Sequence, residues 1–333
     1  MKKTAVALAV LALGITSAHA AEIYNKNSNK LDLYGKVKAN HSWTNKTNSD
    51  GTYARLGFKG ETQVTDQLTG YGHYEGQFDA AKAEGSQSGV NTRLAYAGVD
   101  FGHNVSFDYG RNYGIAYDVG AYTDMLSEFG GDSYESTDGF LTGRASGVAT
   151  LRTTDAFGLV DGLSFGAQYQ GGDDSNALLQ KQHGVGYGFS LGYDFADTGV
   201  SAIAAYSSSK VTGKQKVGGW TGNNAEFWGT GLKYDANSIY AATMYGESRN
   251  LLQGSHKAQS FEAMAGYVFD SGLRPNVAYV HTRDNATNAD IVEYVALGLD
   301  YNLNKNMVAD VGYQISTADN TDNTVVAGLT YQF

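Results

Sequence analysis

Hydrophobic and polar residues alternate along most of the chain, and this alternation predicts β-strands with one apolar and one polar face. In LDLYGKVKA (31–39), the leucines, glycine, valine and alanine share one face, and the aspartate, tyrosine and lysines share the other. YARLGFKGETQV (53–64), SFGAQYQ (164–170) and VVAGLTYQF (325–333) repeat the pattern. The chain is therefore predicted to be an all-β protein.

Sixteen segments of this kind follow one another. They begin near Leu31, Tyr53, Gly70, Thr92, Val105, Arg144, Leu163, Gly184, Val200, Phe227, Ser238, Ser260, Leu273, Val292, Met307 and Val325. Short connections with turn residues (TDQL, FGHN, FADTG, DANS, FDSG and NKN) alternate with long polar ones. This asymmetry is typical of a 16-stranded antiparallel transmembrane β-barrel, which is wide enough for a water-filled interior. No linker interrupts the pattern, so residues 21–333 are predicted to form a single domain.

Residues 1–20 have the composition of a signal peptide. A positively charged start precedes an apolar stretch and an Ala-His-Ala cleavage site, as in proteins exported through the Sec pathway. The alternative interpretation is a buried N-terminal helix. Export favours a membrane barrel over a soluble β-sandwich, which would bury its apolar face and need fewer strands.

Composition narrows the classes of function. The chain has no cysteine, which excludes disulfides and thiolate metal sites. Its formal net charge of −10 argues against a nucleic-acid partner. The 24 tyrosines suit the aromatic girdles at the two interfaces of a membrane barrel.

Sequence motifs of enzymes are missing. No histidine lies in an HExxH spacing, and neither GxSxG nor a phosphate-binding loop occurs. We therefore expect no enzymatic activity and no cofactor or metal. The alternative is a barrel hydrolase whose catalytic residues meet only in space, which activity assays on the purified protein would detect.

The longest gap in the strand pattern lies between Arg111 and Arg144, and its charged side chains are all acidic. They are Asp118, Asp124, Glu128, Asp132, Glu135 and Asp138. Apolar residues such as Met125 and Phe129 argue against simple disorder. We expect this segment to fold into the barrel and narrow its interior. The alternative is a solvated outer loop without a special role.

Four basic residues are predicted to oppose these acids. Lys36, Arg55 and Arg93 lie on the polar face of the first, second and fourth strands, and Arg144 opens the sixth. Facing an inward acidic segment, they would produce a transverse electric field across an aqueous gap.

The residues also resemble a known family. TYARLGFKGETQ, SFDYGRNYG, YTDML, GLKYDAN, FGLVDGL, NKNM and the terminal YQF closely resemble the general diffusion porins of the enterobacterial outer membrane (OmpF/OmpC/PhoE type). The resemblance covers essentially the whole mature chain from Ala21. It implies a homotrimer of sixteen-stranded barrels in the outer membrane, each with an inward-folded third outer loop. It also implies passive diffusion of small hydrophilic solutes and ions.

The resemblance assigns roles to particular residues. It implies constriction acids at Asp124 and Glu128 with Tyr117 beside them, and a facing basic cluster of Lys36, Arg55, Arg93 and Arg144. Glu84 and Arg111 resemble a pair that links neighbouring subunits. The alternative for Glu84 is an ordinary solvent-exposed side chain.

Two features of the stretch between Arg111 and Arg144 change the properties that the resemblance implies for it. Ser127 stands where the family often has proline, so a less fixed backbone is expected. The anion-preferring member of the family has an extra lysine in this loop, and this chain has no lysine between Arg111 and Arg144. We therefore expect a mild preference for cations.

The resemblance also implies partners at the membrane. They are outer-membrane lipid and lipopolysaccharide around the barrel, and phages or bacteriocins that use the outer loops as a receptor. The alternative from another class is a substrate-specific channel. Such a channel would have a run of aromatic residues along its interior, and the sequence contains no clear run of that kind.

Overall fold

The computed structural model describes residues 21–87, 89–102, 104–318 and 321–333. The predicted signal peptide lies outside these ranges, as does His103 of the predicted turn FGHN. The strands of the described residues are β1 (Ala21–Lys26), β2 (Asn29–Thr44), β3 (Asn48–Asp50), β4 (Tyr53–Thr65), β5 (Leu68–Asp79), β6 (Val90–Asp100), β7 (Val105–Tyr113), β8 (Arg144–Thr153), β9 (Leu163–Gln170), β10 (Gly186–Phe195), β11 (Val200–Lys210), β12 (Asn224–Ala236), β13 (Ile239–Arg249), β14 (Lys257–Tyr267), β15 (Leu273–Asp284), β16 (Ala289–Asn304), β17 (Met307–Ser316) and β18 (Thr324–Gln332). The short helices are α1 (Tyr117–Gly120), α2 (Asp155–Gly158) and α3 (Gly213–Val217), and Leu179–Lys181 forms a 3₁₀ turn.

Sixteen of these strands form a closed antiparallel ring. From β4 to β18, each strand pairs with the next one along the chain. β2 pairs with β4 on one side and with β18 on the other, which closes the ring. The predicted sixteen-stranded barrel is confirmed, and the predicted strand starts lie within three residues of the observed ones.

The two remaining strands, β1 and β3, are absent from the sequence prediction. β1 pairs with the first residues of β2, from Lys26 against Asn29 to Ala21 against Leu33. β3 pairs with the far end of β2, inside the connection predicted as a long polar loop. Neither strand shows a clear alternation of its own, so each is determined by the neighbouring strand rather than by its sequence pattern.

Both ends of the chain contribute to the closure of the barrel. β1 lies along the first part of β2, and β18 lies along the rest of the same edge. The junction is fixed by two hydrogen bonds, from Gly35 N to Phe333 O (3.1 Å) and from Phe333 N to Gly35 O (3.0 Å). β18 is therefore paired with β2 along its whole length, and β1 covers the rest of that edge of β2.

The two faces of the wall differ as the alternation predicts. In β9, Phe165 and Tyr169 are exposed, whereas Gln168 and Gln170 on the other face are buried. In β10, every second residue from Tyr187 to Phe195 is an exposed aromatic or leucine. The exposed apolar side chains form the outer surface, and the polar face surrounds the interior. Among the described residues, no helix has the length and apolar character needed to cross a membrane.

Candidate functional site

Residues 114–143, called the acidic segment below, connect β7 to β8. The two ends of this segment lie side by side, because Gly114 N donates to Gly143 O (2.7 Å) and Ala116 N donates to Leu141 O (3.1 Å). α1 follows directly after this paired neck. The segment therefore leaves and rejoins the wall at one place, and its middle part is positioned by contacts of its own.

Apolar side chains of the acidic segment pack on the buried face of the wall. Met125, Leu126 and Phe129 contact a cluster of wall residues on β13 to β16. The ring of Tyr134 stacks on Phe227 of β12, with ring centres 4.0 Å apart and planes 12° from parallel. The wall residues of the first cluster are Ala242, Met264, Ala278, Val280, Tyr294 and Ala296. Because this face is the one opposite the outer apolar surface, these contacts support the predicted inward fold.

A glycine in β10 allows the start of the acidic segment to approach the wall closely. A Cβ atom at Gly188 would lie 2.4 Å from Cγ2 of Ile115 and 2.6 Å from the backbone oxygen of Tyr206. Any larger residue would have to displace the Ile115 side chain, which is fully buried. Gly188 thus makes room for the apolar contact that follows the neck.

Two charged wall residues, Arg152 and Glu262, bind the acidic segment at different points along it. Arg152 of β8 donates two hydrogen bonds of 2.8 Å to the carboxylate oxygens of Asp118, which is 3% exposed. Glu262 of β14, which is 1% exposed, accepts hydrogen bonds from the Thr123 hydroxyl and from Ser133 N. These bonds satisfy buried polar groups that would otherwise be costly to remove from water.

Asp124 and Tyr117, two of the predicted constriction residues, contact each other. The Tyr117 hydroxyl donates to Oδ2 of Asp124 at 2.6 Å, and the Tyr117 ring stacks on Tyr113 at the end of β7. Burial raises the pKa of the Asp124 carboxyl above its ordinary value, and the charge of Asp132 adds to the rise, while the Tyr117 hydroxyl and the charges of Arg144 and Arg93 oppose it. The recorded direct partner of the Asp124 carboxylate is thus the Tyr117 hydroxyl of the same segment.

Glu128, the second predicted acid, is paired with the wall. Its Oε1 atom lies 2.7 Å from Nζ of Lys38 on β2, and its Oε2 atom lies 3.4 Å from the side-chain nitrogen of Asn40. The Glu128 side chain is 10% exposed. The neighbouring Ser127 hydroxyl donates to Asp300 of β16. The tip of the acidic segment is thus bonded both to β2 and to β16.

The predicted basic residues on the early strands lie close together. Lys36 and Arg55 are opposite each other in the register of β2 with β4. Their charged groups lie over the ring of Tyr53, at 5.6 Å and 4.7 Å from its centre. Arg93 forms an ion pair with Glu75 of β5. Lys36 and Arg55 therefore contact an aromatic ring of the wall, and the charge of Arg93 is paired with a wall glutamate.

A cavity of about 460 Å³ is lined by three of the arginines that the sequence analysis singles out. Arg93, Arg111 and Arg144 line it, together with Lys181 and Asp138. Within its own chain, Arg111 forms an ion pair with Asp138 through both carboxylate oxygens. The lining residues carry more positive than negative charge, so the cavity favours an anionic group.

Glu84, the predicted intersubunit partner of Arg111, lies elsewhere. It is in the connection between β5 and β6, and its side chain is exposed. The two residues are not brought together within one copy of the chain, since Arg111 bonds to Asp138, Ser146 and the backbone of Thr92. A link between Glu84 and basic residues of another copy stays a prediction.

Among the described residues, five pairs of interior charges of opposite sign are in contact. The pairs are Arg152–Asp118, Arg93–Glu75, Arg111–Asp138, Lys38–Glu128 and Arg274–Asp300. In the part of the chain that the structure describes, no group of three or more histidine, aspartate or glutamate side chains is placed to hold a metal ion. The interior therefore contains fixed charges of both signs.

Three wall residues that hold the acidic segment are missing from the predicted site. Lys38 has the same strand phase as Lys36, so the alternation alone places it in the interior. Arg152 and Glu262 also lie on the polar phase of their strands. The alternation does not indicate which residue of the acidic segment each of them meets, because that segment has no periodicity.

The sequence profile of the Gram-negative porins matches residues 26–333. The chain belongs to this family. Outer membrane porin protein OmpD of Citrobacter koseri is 49% identical to this porin over 100% of both chains. The solved structure of Salmonella typhi OmpF in complex with daunomycin has a TM-score of 0.89 and 42% identity, covering 94% of this porin and 100% of that chain. The trimer form of Vibrio cholerae OmpT shares the fold, with a TM-score of 0.69 and 15% identity over 92% of this porin and 100% of that chain.

The comparisons confirm the resemblance that the sequence motifs indicate. The porin is a general diffusion channel of the bacterial outer membrane and not an enzyme. Its barrel has sixteen antiparallel strands. The division into a signal peptide (1–20) and a single barrel domain (21–333) stays a prediction.

Proposed function

We propose that this porin allows passive, non-specific diffusion of small hydrophilic solutes and ions, with a mild preference for cations. The observation that carries the proposal is the packing of the acidic segment on the inner face of the wall. A segment held there would narrow the passage and face the Asp124 carboxylate toward the predicted basic cluster. Solutes would then pass between groups of opposite charge.

The size of the charge effect supports a preference and not a gate. Two unit charges about 4 Å apart interact by roughly 1 kcal/mol in a medium like water. A carboxylate at that distance from the path of an ion therefore changes the occupancy of that ion only several-fold. The basic cluster offsets part of this attraction, which is why the expected preference for cations is mild.

The wild-type porin should conduct without any energy source. We expect single channels of steady conductance in a planar bilayer, and swelling of liposomes in small sugars without added cofactor, nucleotide or membrane potential. Protein-free liposomes and a dextran too large for the passage serve as controls. A requirement for a cofactor or a potential would contradict passive diffusion, and saturation by one sugar would favour a substrate-specific channel.

We further propose that the porin is a homotrimer in the outer membrane, surrounded by lipid and lipopolysaccharide. Vibrio cholerae OmpT has a trimer form, which supports this assembly for the fold. Glu84 is exposed, and the cavity lined by Arg111, Arg144 and Lys181 has an excess of positive charge. The Glu84 carboxylate of a neighbouring copy would suit that cavity. The use of the outer loops by phages or bacteriocins stays a prediction.

Glu84→Ala is expected to lower the temperature at which the trimer dissociates in SDS, because an intersubunit carboxylate would be lost. The matched control is Asp66→Ala, which removes an exposed acid in the turn between β4 and β5 and should leave that temperature unchanged. A native mass of one copy in mild detergent would contradict the trimer itself. Equal dissociation temperatures for both variants would remove Glu84 from the interface.

A further inference from the structure

Lys38 contacts the tip of the acidic segment twice and a carboxylate of the wall once. Its Nζ atom lies 2.7 Å from Oε1 of Glu128 and 3.7 Å from Oδ1 of Asp310 on β17. The same atom donates to the backbone oxygen of Ser127 at 2.9 Å. Lys38 is 5% exposed, which is unusual for a lysine unless it is paired.

These contacts have two separate effects on the tip. The bond to Ser127 fixes the backbone, and the ion pair fixes the side chain of Glu128. The ammonium group of Lys38 makes a charge-assisted hydrogen bond to Ser127, and such bonds are roughly twice as strong as neutral ones, so this bond resists movement of the tip. The positive charge of Lys38 also lies beside the carboxylate and offsets its field at short range.

We propose that Lys38 is a positioning residue that determines the ion selectivity of this porin. It holds Glu128 against β2 and cancels much of its charge, so that Asp124 is the more effective carboxylate of the tip. The channel is therefore less cation-preferring than the acid content of the segment suggests. The proposal rests on the proposed function as a passive channel.

The neighbouring charges agree with this assignment. Asp300, the other wall acid at the tip, is paired with Arg274 at 2.7 Å and so does not compete for Lys38. Asp310 is the second carboxylate near Lys38, and it lies farther from the lysine nitrogen than the Glu128 carboxylate does. Lys36, two residues earlier on the same face, is turned toward the ring of Tyr53. Lys38 is thus the lysine of this face that is bonded to the acidic segment.

The test exchanges the two charges of the ion pair. Lys38→Glu should raise the ratio of potassium to chloride permeability at low salt by about twofold or more, and Glu128→Lys should lower it by a similar factor. The double variant carrying both substitutions has the charges of the wild type and should return to nearly the wild-type ratio. Lys38→Arg, which keeps the charge, should stay close to the wild type throughout.

Positioning requires a second measurement, because net charge alone could restore the permeability ratio. The chain has no cysteine, so Leu126→Cys places a unique thiol beside the tip. Its reaction with a water-soluble thiol reagent should accelerate about tenfold in each single charge variant, since the tip is released from the wall. The rate should fall again in the charge-exchanged variant. Lys59→Met removes another lysine of the barrel wall, one that lies over the ring of Tyr34, and is the matched control.

The outcomes separate this proposal from the proposed function. If the wild type conducts passively but Lys38→Glu leaves the permeability ratio unchanged, Lys38 does not determine selectivity. If the thiol reacts equally fast in all variants, Lys38 does not position the tip. Lys38→Met, a milder change, replaces Lys38→Glu in both measurements if the latter fails to assemble. A wild-type protein that forms no channel would instead refute the proposed function.

Discussion

Replacing Arg152 with methionine is expected to destabilise the folded barrel by about 3 kcal/mol. The change leaves the carboxylate of Asp118, which is 3% exposed, without the two hydrogen bonds that compensate its burial. Breaking a buried ion pair typically costs about 3–5 kcal/mol. We expect a cost at the lower end of this range because the Arg152 side chain is itself 34% exposed. The measurement is the thermal unfolding of the barrel in detergent, followed by circular dichroism.

Two further variants show whether the unpaired buried charge is the cause. Lys46→Met breaks an exposed ion pair with Asp322, whose lysine is 71% exposed, and should cost about 0–1 kcal/mol. Combining Asp118→Asn with Arg152→Met removes the uncompensated charge and should recover most of the stability. Proteolysis of the acidic segment should increase in the single Arg152 variant only. If Arg152→Met behaves like Lys46→Met, Asp118 does not anchor the segment.

Neutralising the two predicted constriction acids should produce the largest change in ion selectivity. Asp124→Asn together with Glu128→Gln removes two negative charges and leaves Lys38 without its closest partner. At low salt, we expect the ratio of potassium to chloride permeability to fall by about fivefold, which corresponds to about 1 kcal/mol. The measurement is the reversal potential across a planar bilayer under a gradient of potassium chloride.

Salt dependence and two control variants test this prediction. The effect should weaken at high salt, because the screening length falls from about 10 Å at 0.1 M to about 3 Å at 1 M. Arg55→Gln with Arg93→Gln should shift the reversal potential in the opposite direction. Asp270→Asn, an exposed acid in the connection from β14 to β15, should not shift it. An unchanged reversal potential in the acid variant at low salt would show that these residues do not line the passage.

The strands of the barrel wall could be predicted from the sequence because a membrane barrel requires apolar and polar residues to alternate in every strand. Each strand has an outer apolar face and an inner polar one, so the period of two is repeated in every strand. Phe165 and Gln168 lie on opposite faces, as their spacing requires. β1 and β3 could not be predicted, because pairing with β2 determines them and their own residues do not alternate.

The candidate site could be predicted only in part. The sequence indicates that Asp124 and Arg144 are interior charges, since one lies in the acidic gap and the other opens a strand. It also places Lys38 in the interior, but it does not show that Lys38 pairs with Glu128. That contact joins residues 90 positions apart, and it depends on the path of a segment that has neither strand nor long helix. Partners across such a segment are set by tertiary packing, which no local pattern records.

The closure of the ring by both chain ends has a consequence for biogenesis. A nascent chain that lacks the 9 residues of β18 retains every other pairing of the ring but leaves β2 and β17 with unpaired edges. Such edges have no hydrogen-bonding partner in hydrocarbon and invite aggregation in water. A chain truncated before β18 therefore has no closed ring to place in the bilayer, and we expect it to form no smaller pore.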